Sequence, residues 1–346
     1  VWWKSMKKIY RLQGIGGSIY VALPKEWLKR YGLGKGSAVE VSVDIDGALK
    51  IVPLKESVRA SETMFTKQGS EIEIFIDKHE EVYTSLLSAY LRGFDVITLR
   101  FSGGAIEREI KRVIDSAKDL LLGLETLDIG SNYIVLKVLA SENVEMESLI
   151  RNMHKMVRSM YSDALNSIEL NDIELAKAVI LRDRDVNKLY FYTTRIIRKK
   201  ISTQLLEPRV LLKLIDYRML IKFVEEIGDE AKNAAISSIE IISKKIEVNQ
   251  ENLSKIRDAV SSIDEIYRDV IMKAHEKSVE ISELRQHMKT CLTIRDTLKH
   301  MRIILAEEKR WYWFTEFVKS FENIAMNVYD ILSLVPFELA STMIYE

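Results

Sequence analysis

Residues 16–53 decide the fold of the amino-terminal part of the chain and read GGSIYVALPKEWLKRYGLGKGSAVEVSVDIDGALKIVP. Residues 8–12 and 18–23 are short strand-like runs, and the glycines between them permit a tight reversal because glycine adopts positive φ angles freely. Pro24 is favoured at the first position of a helix and opens a predicted helix at 25–31. The beginning of the stretch therefore predicts two strands followed by a short helix.

The second half of the same stretch predicts two more strands. Valines occupy every second position over 39–43, and this alternation is typical of a strand. An Asp-Gly pair at 46–47 is a strong hairpin signal, and residues 49–53 supply the return strand. The result is a β-β-α-β-β unit, and a unit of about 50 residues is too small to be comfortably stable alone.

Positive charge is concentrated at this end of the chain. The whole chain has 51 basic and 51 acidic side chains, so its net charge indicates no nucleic-acid or membrane partner. Residues 1–36, however, hold eight basic side chains against one acidic side chain, a surplus of seven that the rest of the chain balances. On a compact frame this surplus suits the phosphates of duplex DNA, and the alternative interpretation is an ordinary solvated face.

The next part of the chain, residues 57–141, alternates strand and helix patterns. Apolar residues recur at every second position over 72–76 and 97–101, and at helical spacing between and after these runs. The predicted order is βαβαββ, which is typical of a small α/β sandwich. The inward face of the last strand is expected to carry Ile134, Leu136 and Val138.

The remaining part, residues 142–346, is predicted to be all-α. Thirteen of the 14 glycines lie at or before Gly130, and such scarcity over a long stretch favours a few long helices. Residues 222–235 resemble residues 319–332, and residues 186–190 resemble residues 263–267. These matches predict two copies of a three-helix unit, at about 145–242 and 250–334, joined either end to end or side by side.

Four residues in the first copy are candidate metal ligands. Glu225 and Asp229 are four residues apart on one predicted helix, and Asp183 and Asn187 have the same spacing one helix earlier. Three carboxylates and an amide oxygen would suit a hard cation such as Mg, Mn or Ca, or iron. The alternative is that Arg218, seven residues before Glu225, neutralises that carboxylate without a metal.

The second copy retains only part of this pattern. Alignment of the matched segments places Asp264 and Glu322 at two of the four positions, and Val260 and Met326 at the other two. If a metal binds, the first copy is therefore the expected site.

The sequence contains no candidate catalytic constellation. It lacks a phosphate-binding loop, a nucleophile elbow, an HExxH motif and paired CxxC motifs, so we expect a protein that is not an enzyme. His287 and Cys291 are four residues apart, but two ligands are only half a metal site, and we interpret the pair as incidental. A single cysteine and the lack of any run of about 18 apolar residues predict a cytoplasmic protein without membrane insertion.

The amino-terminal unit resembles the swapped-hairpin domain of the AbrB and SpoVT transcription factors. The resemblance rests on the Ser-x-x-x-x-Leu-Pro-Lys run that begins at Ser18, on the Leu33-x-x-Gly36 turn, and on the Asp-Gly hairpin at 46–47. It implies an interlaced homodimer that grips duplex DNA with basic side chains on one face. The candidate DNA contacts are Lys8, Arg11, Lys25, Lys29 and Arg30.

The helical duplication resembles PhoU, the phosphate-uptake regulator, whose repeats carry a (Glu or Asp)-x-x-x-Asp motif for metal clusters. Asp183-x-x-x-Asn187 and Glu225-x-x-x-Asp229 match that motif with one substitution, Asp to Asn. The order of the modules is similar to that of archaeal PhoU-like proteins with an amino-terminal AbrB domain. The resemblance thus implies a metal ion in the helical bundle and domains at 1–56, 57–141 and 142–346.

Together these resemblances imply a dimeric, cytoplasmic transcription regulator of phosphate-uptake genes. The alternative is an adaptor, in which the helical part docks onto a phosphate transporter ATPase or a signalling kinase and residues 1–56 mainly dimerise. A third interpretation, an antitoxin-like module, fits less well because the duplicated helical part is long.

Overall fold

The computed structural model describes most of the chain, in nine segments: residues 11–15, 17–43, 49–53, 65–68, 70–102, 104–204, 206–276, 280–307 and 311–343. The chain divides into two compact units, residues 1–63 and residues 64–346. The fold class predicted from the sequence is confirmed: a small β-rich unit, a small α/β sandwich and an all-α region of two three-helix sets.

The described residues of the first unit form two antiparallel strand pairs and one helix. Strands β1 (Gln13–Ile15) and β2 (Ser18–Tyr20) form one pair, and β3 (Val39–Val43) and β4 (Leu49–Pro53) form the other. Helix α1 (Lys25–Tyr31) lies between the pairs in sequence. The first strand was expected at 8–12, but residues 8–10 lie outside the described residues and the described strand begins at Gln13.

The ends of α1 follow from backbone chemistry. Pro24 precedes the helix, and Gly32 ends it with a φ of 64°, a left-handed conformation that glycine adopts without steric cost. The N–H of Gly32 donates to carbonyl oxygens of the last turn. The predicted range of this helix therefore agrees with the structure, whereas the Asp-Gly pair at 46–47 lies outside the described residues.

This unit has no buried side chain among its described residues, all of which are exposed or half-buried wherever exposure is defined. Apolar side chains are included: Ile19 on β2 is 74% exposed and Leu49 on β4 is 60% exposed. Units of about this length bury a small share of their surface and are marginally stable alone. The exposed apolar side chains of this unit are thus available to a partner surface.

The second unit begins with a five-stranded sheet and two helices. Its elements are β5 (Phe65–Gln68), β6 (Glu71–Ile76), α2 (Glu81–Leu91), β7 (Val96–Phe101), α3 (Gly104–Lys118), β8 (Leu124–Ile129) and β9 (Tyr133–Val138). The strand order is β5-β6-β7-β9-β8, with β6 parallel to β7 and the other neighbours antiparallel. Strand β5 adds one strand to the predicted βαβαββ order. Ile134, Leu136 and Val138 on β9 are buried, as expected.

Six long helices follow the sheet in the part of the chain that the structure describes. They are α4 (Met146–Glu169), α5 (Ile173–Thr203), α6 (Pro208–Ser243), α7 (Gln250–Glu276), α8 (Ile281–Leu305) and α9 (Tyr312–Met343). The Asp172 side chain caps α5 by accepting a hydrogen bond from the Leu175 N–H at 3.0 Å, and Pro208 opens α6. One hydrophobic core runs through all six helices, so the two sets lie side by side; it includes Cys291, which is fully buried.

The repeat is only partly the one expected from the sequence. Residues 222–235 and 319–332 lie on α6 and α9, the third helix of each set, and these two helices pack along each other. Residues 186–190, however, lie on the second helix of their set, whereas residues 263–267 lie on the first helix of theirs. That second match was wrong, because apolar residues at helical spacing recur in any amphipathic helix.

A buried arginine joins the sheet to the helices. Arg195 on α5 is 1% exposed and donates to the backbone oxygens of Tyr90 and Phe94, both at 2.8 Å, and to Asp95 Oδ1 at 2.6 Å. Lys199, one turn later, donates to both oxygens of the same carboxylate at 2.7 Å. Helix α5 is thus a core element of the helical set and the docking surface of the sheet. None of the described helices is long and apolar enough to cross a membrane.

Candidate functional site

The first unit presents an exposed basic surface. Arg11 precedes β1, and Lys25 and Lys29 lie one turn apart on α1; all three side chains are exposed. Arg30 also lies on α1, and Lys8 lies outside the described residues. Exposed lysine and arginine side chains can bind phosphate oxygens and release counterions from a nucleic acid. The described part of this surface is therefore accessible in the way that DNA contacts require.

The four candidate metal ligands lie where α5 and α6 face each other. Asp183 and Asn187 project from α5, and Asn187 Nδ2 donates to Asp183 Oδ2 at 3.0 Å. From α6, Lys232 Nζ donates to Asp183 Oδ2 at 2.8 Å and to Asp229 Oδ1 at 3.1 Å. Three of the four residues are thus brought together, and the ammonium group of Lys232 lies between their carboxylates.

Glu225, the fourth candidate ligand, is paired with a different lysine. Lys222 Nζ donates to Glu225 Oε2 at 2.6 Å and also lies 3.3 Å from Glu226 Oε1. Arg218, which the sequence offered as the neutralising group, instead donates to the Tyr190 hydroxyl at 2.8 Å and stacks on that ring. The cation beside Glu225 is therefore Lys222, three residues away on the same helix.

Burial dominates the protonation of this cluster. Desolvation raises the pKa of Asp183 and of Glu225, and the neighbouring lysines oppose the rise. Desolvation alone would lower the pKa of Lys232, but its hydrogen bonds to Asp183 and Asp229 outweigh that effect and raise it. The lysine is therefore firmly protonated, and it supplies the positive charge that buried carboxylates need.

These residues do not fit a bound metal as they are placed. Their oxygen atoms are of the kind that hard cations prefer, but the lysine ammonium lies between two of the carboxylates and a second lysine holds the third. A metal could bind only after Lys232 had moved away. Lys222 and Lys232 were missed from the sequence, although the three-residue spacing to Glu225 and Asp229 was a usable signal.

The second helical set has no equivalent cluster among its described residues. Asp264 accepts two hydrogen bonds from Arg158, at 2.7 and 2.6 Å, and one from the Tyr161 hydroxyl at 2.6 Å. Glu322 accepts from Arg302 at 2.9 Å on a different helix pair. Asp264 and Glu322 therefore belong to separate ion pairs. The second copy thus departs from the four-residue pattern of the first copy further than the sequence predicted.

Family models match two parts of the chain, one near the amino terminus and one in the helical region. Residues 150–237, which span most of α4 to α6, match the family model described as the PhoU domain. Residues 15–59 match the model described as "Antidote-toxin recognition MazE, bacterial antitoxin". A search of curated proteins gave no match.

A solved structure supports the helical fold. The crystal structure of PhoU from Pseudomonas aeruginosa is similar over 57% of this chain and 96% of that chain, with 18% identity and a TM-score of 0.51. At this identity the likeness shows the fold alone. Together with the two family models, it supports a chain that is similar to PhoU in its helical region and to the MazE antitoxin domain near its amino terminus.

Proposed function

We propose that this PhoU-like protein is a homodimeric, DNA-binding regulator of phosphate uptake that acts in the cytoplasm. Its amino-terminal unit would bind duplex DNA, and its helical region would respond to phosphate status through a ligand or a protein partner. The MazE/AbrB-type domain supports the first role, and the PhoU domain supports the second. The role is regulatory and requires no catalytic group.

One observation carries the proposal: the amino-terminal unit exposes both its apolar and its basic side chains. Its described residues include no buried side chain, so a second copy is the natural cover for apolar residues such as Ile19 and Leu49. Pairing two copies would also double the basic side chains on one body. Arg11, Lys25 and Lys29 are the described candidates for phosphate contacts, with Lys8 and Arg30 completing the proposed set.

A salt titration of DNA binding tests this proposal. We expect the affinity of the full chain for duplex DNA to fall steeply as salt is added, because each phosphate contact releases counterions. The double variant Arg11→Ala, Lys25→Ala removes about four contacts from a dimer, so the slope of log K against log salt should become shallower by up to about 4. Fluorescence anisotropy with a labelled duplex measures both quantities.

The matched control removes the same charge elsewhere. Arg198→Ala with Lys299→Ala changes two exposed basic residues of the helical region, and this double variant should bind DNA like the unaltered chain. Equal loss of affinity in the two double variants would show a general charge effect and would contradict the assignment.

A second candidate function is an adaptor that binds proteins only. The family model at 15–59 is described as a toxin-recognition module, which is a protein-binding role, and this favours the alternative. In that case the helical region would dock onto a phosphate transporter ATPase or a signalling kinase. Capture of such a partner by the full chain and by a chain lacking residues 1–56, with no DNA binding by either, would support the adaptor.

The PhoU resemblance implied a metal ion at four residues of the helical region, but the proposed function does not require one there. Asp183, Glu225 and Asp229 hold lysine ammonium groups in the structure and Asn187 donates to Asp183, so the proposed regulator does not depend on a metal at these four residues. Response to phosphate status would then reach this cluster through its ion pairs rather than through a resident ion.

A further inference from the structure

Three side chains between α7 and α8 form a separate group of metal-ligating atoms. Asp269 projects from α7, and Glu283 and His287 project from one face of α8, one turn apart. His287 Nε2 lies 3.2 Å from Asp269 Oδ2 and 3.8 Å from Glu283 Oε1. Among the described residues, this is the one group of three acidic, histidine or cysteine side chains whose ligand atoms all lie within 4.8 Å of one another.

These spacings resemble those between the ligands of a bound ion. Bonds of about 2.0–2.2 Å from zinc to imidazole nitrogen and carboxylate oxygen, in tetrahedral geometry, place neighbouring ligand atoms about 3.3–3.5 Å apart. The histidine-to-aspartate distance is already close to that value, and the histidine-to-glutamate distance exceeds it slightly. Small side-chain rotations would complete three protein ligands of an ion.

Partial burial of the group is compatible with a fourth ligand from solvent. All three side chains are half-buried, so they are partly desolvated without being fully enclosed. A site with three protein ligands and one open position takes a water molecule or an external anion at that position. An ion here would join the first two helices of the second set.

The chemistry differs from that of the α5–α6 cluster. There the group between the carboxylates is a lysine ammonium, which cannot coordinate a metal when protonated. Here the group between the carboxylates is an imidazole, which is itself a metal ligand in its neutral form. Mixed imidazole and carboxylate donors suit first-row transition ions such as zinc, cobalt or manganese.

We propose that Asp269, Glu283 and His287 bind one divalent transition-metal ion, and that this site, rather than the α5–α6 cluster, is the metal site of the helical region. The proposal is independent of DNA binding by the amino-terminal unit. It assigns His287 a partner set that spacing along one helix does not reveal, because Asp269 comes from the neighbouring helix. Cys291, the other residue of the sequence pair, is buried in the core and takes no part.

A cobalt titration of the full chain tests the proposal. Co²⁺ is added to metal-free protein, the visible absorption of the bound ion is recorded, and Zn²⁺ is then used to displace it. We expect one equivalent to bind, and we expect His287→Gln and Glu283→Gln each to weaken binding by at least about tenfold, since each removes a ligand. Circular dichroism confirms that each variant is folded.

The matched control is the double variant Asp183→Asn, Asp229→Asn, which removes two carboxylates from the α5–α6 cluster and should bind cobalt as tightly as the unaltered chain. The proposal is wrong if the unaltered chain shows no saturable binding, or if both the His287 and Glu283 variants retain full affinity. It is also wrong if only the control variant loses affinity, because the ion would then lie between α5 and α6.

Discussion

Arg195 shows how much a single residue contributes to this fold. The guanidinium is almost fully buried, donates to two backbone oxygens of the sheet region and pairs with Asp95, and it also lies 5.1 Å from the centre of the Tyr90 ring. Burial lowers the pKa of Arg195 although Asp95 opposes the change. The three hydrogen bonds and the aromatic face offset the cost of burying this charge.

Replacing this arginine should therefore cost much of the stability. Arg195→Met removes the side-chain donor from two backbone oxygens and leaves Lys199 as the partner of the Asp95 carboxylate, and we expect the free energy of unfolding to fall by about 2–4 kcal/mol. Urea denaturation followed by circular dichroism measures the change. Arg198→Met, at an exposed position on the same helix, should change it by less than about 0.5 kcal/mol, and a similar loss in both variants would contradict the prediction.

His154 predicts a pH dependence of stability. It is buried on α4 with its ring centre 4.3 Å from that of Tyr267, and burial, aided by the charge of Arg158, lowers its pKa from 6.5 to about 4. The folded protein therefore keeps this imidazole neutral at pH values where the unfolded chain binds a proton. The contribution of neutral His154 to the free energy of unfolding is fully present above about pH 6.5 and is lost as the pH falls towards 4.

We expect the free energy of unfolding to fall by about 2 kcal/mol between pH 7 and pH 5 through His154. Urea titrations at the two pH values should show this decrease for the unaltered chain and for the exposed-site control His300→Gln, and a much smaller one for His154→Phe. Glu147, whose pKa is lowered to about 2 by hydrogen bonds from Tyr217 and Lys213 that outweigh its burial, acts only below about pH 4.5. An unchanged pH dependence in His154→Phe would refute the assignment.

Among the elements, those that begin or end with proline or glycine could be predicted from the sequence. Helix α1 has the range expected from Pro24 and Gly32, because these residues set their own backbone angles. Strand β5 was not predicted: Phe65–Gln68 has one apolar residue and is held by pairing with β6. Elements that depend on a distant partner leave little trace in their own residues.

For the candidate sites, the sequence predicted which residues share a helix but not which residues meet between helices. Spacing within α5 and within α6 placed the acidic residues correctly on their helices, but whether a metal or a lysine lies between them depends on how the two helices face each other. The same limit explains why His287 was paired with Cys291 rather than with Asp269. Side chains from different helices meet through packing, which the spacing of residues does not encode.

We expect the ion pair between α5 and α6 to stabilise the fold. Lys232→Met leaves Asp183 buried opposite Asp229 without the ammonium group, so we expect the free energy of unfolding at pH 7 to fall by about 1–3 kcal/mol. Burial raises the pKa of Asp183, so acidification should protonate this carboxylate and restore part of the loss. Urea titrations at pH 7 and pH 5 measure both effects.

The control for this variant lies on the same helix. Lys244 pairs with Glu240 at 2.8 Å in an exposed i, i+4 pair, so Lys244→Met should change the free energy of unfolding by less than about 0.5 kcal/mol at either pH. Equal effects of the two substitutions would show that the α5–α6 pair is no more important than a surface ion pair.

At the scale of the whole molecule, the two compact units differ in how they are stabilised. Residues 64–346 contain two hydrophobic cores, one in the sheet region and one through all six long helices. In the first unit, every side chain whose exposure is described is exposed or half-buried. The larger unit therefore has the means to fold by itself, and we expect association to stabilise the smaller unit.

Association through the first unit can be tested with single charges. Ile19→Asp and Leu49→Asp each place a carboxylate among side chains that a second copy should cover, and burial of one such side chain is worth about 1.5–3 kcal/mol. We expect the dimer dissociation constant to rise by about tenfold to a hundredfold in each variant, as measured by sedimentation equilibrium. Leu139→Asp, at an equally exposed leucine of the other unit, should leave the dimer intact, and dimers of undiminished affinity in all three variants would contradict the prediction.

The single cysteine gives this protein an internal reporter. Cys291 is enclosed in the helical core, and burial raises the pKa of its thiol to about 12, so the nucleophilic thiolate is scarce as well as inaccessible in the native state. A maleimide dye should therefore modify the protein only when α8 separates from its neighbours. Because no second thiol competes for the reagent, the labelling rate would time that opening event directly, without any engineered residue.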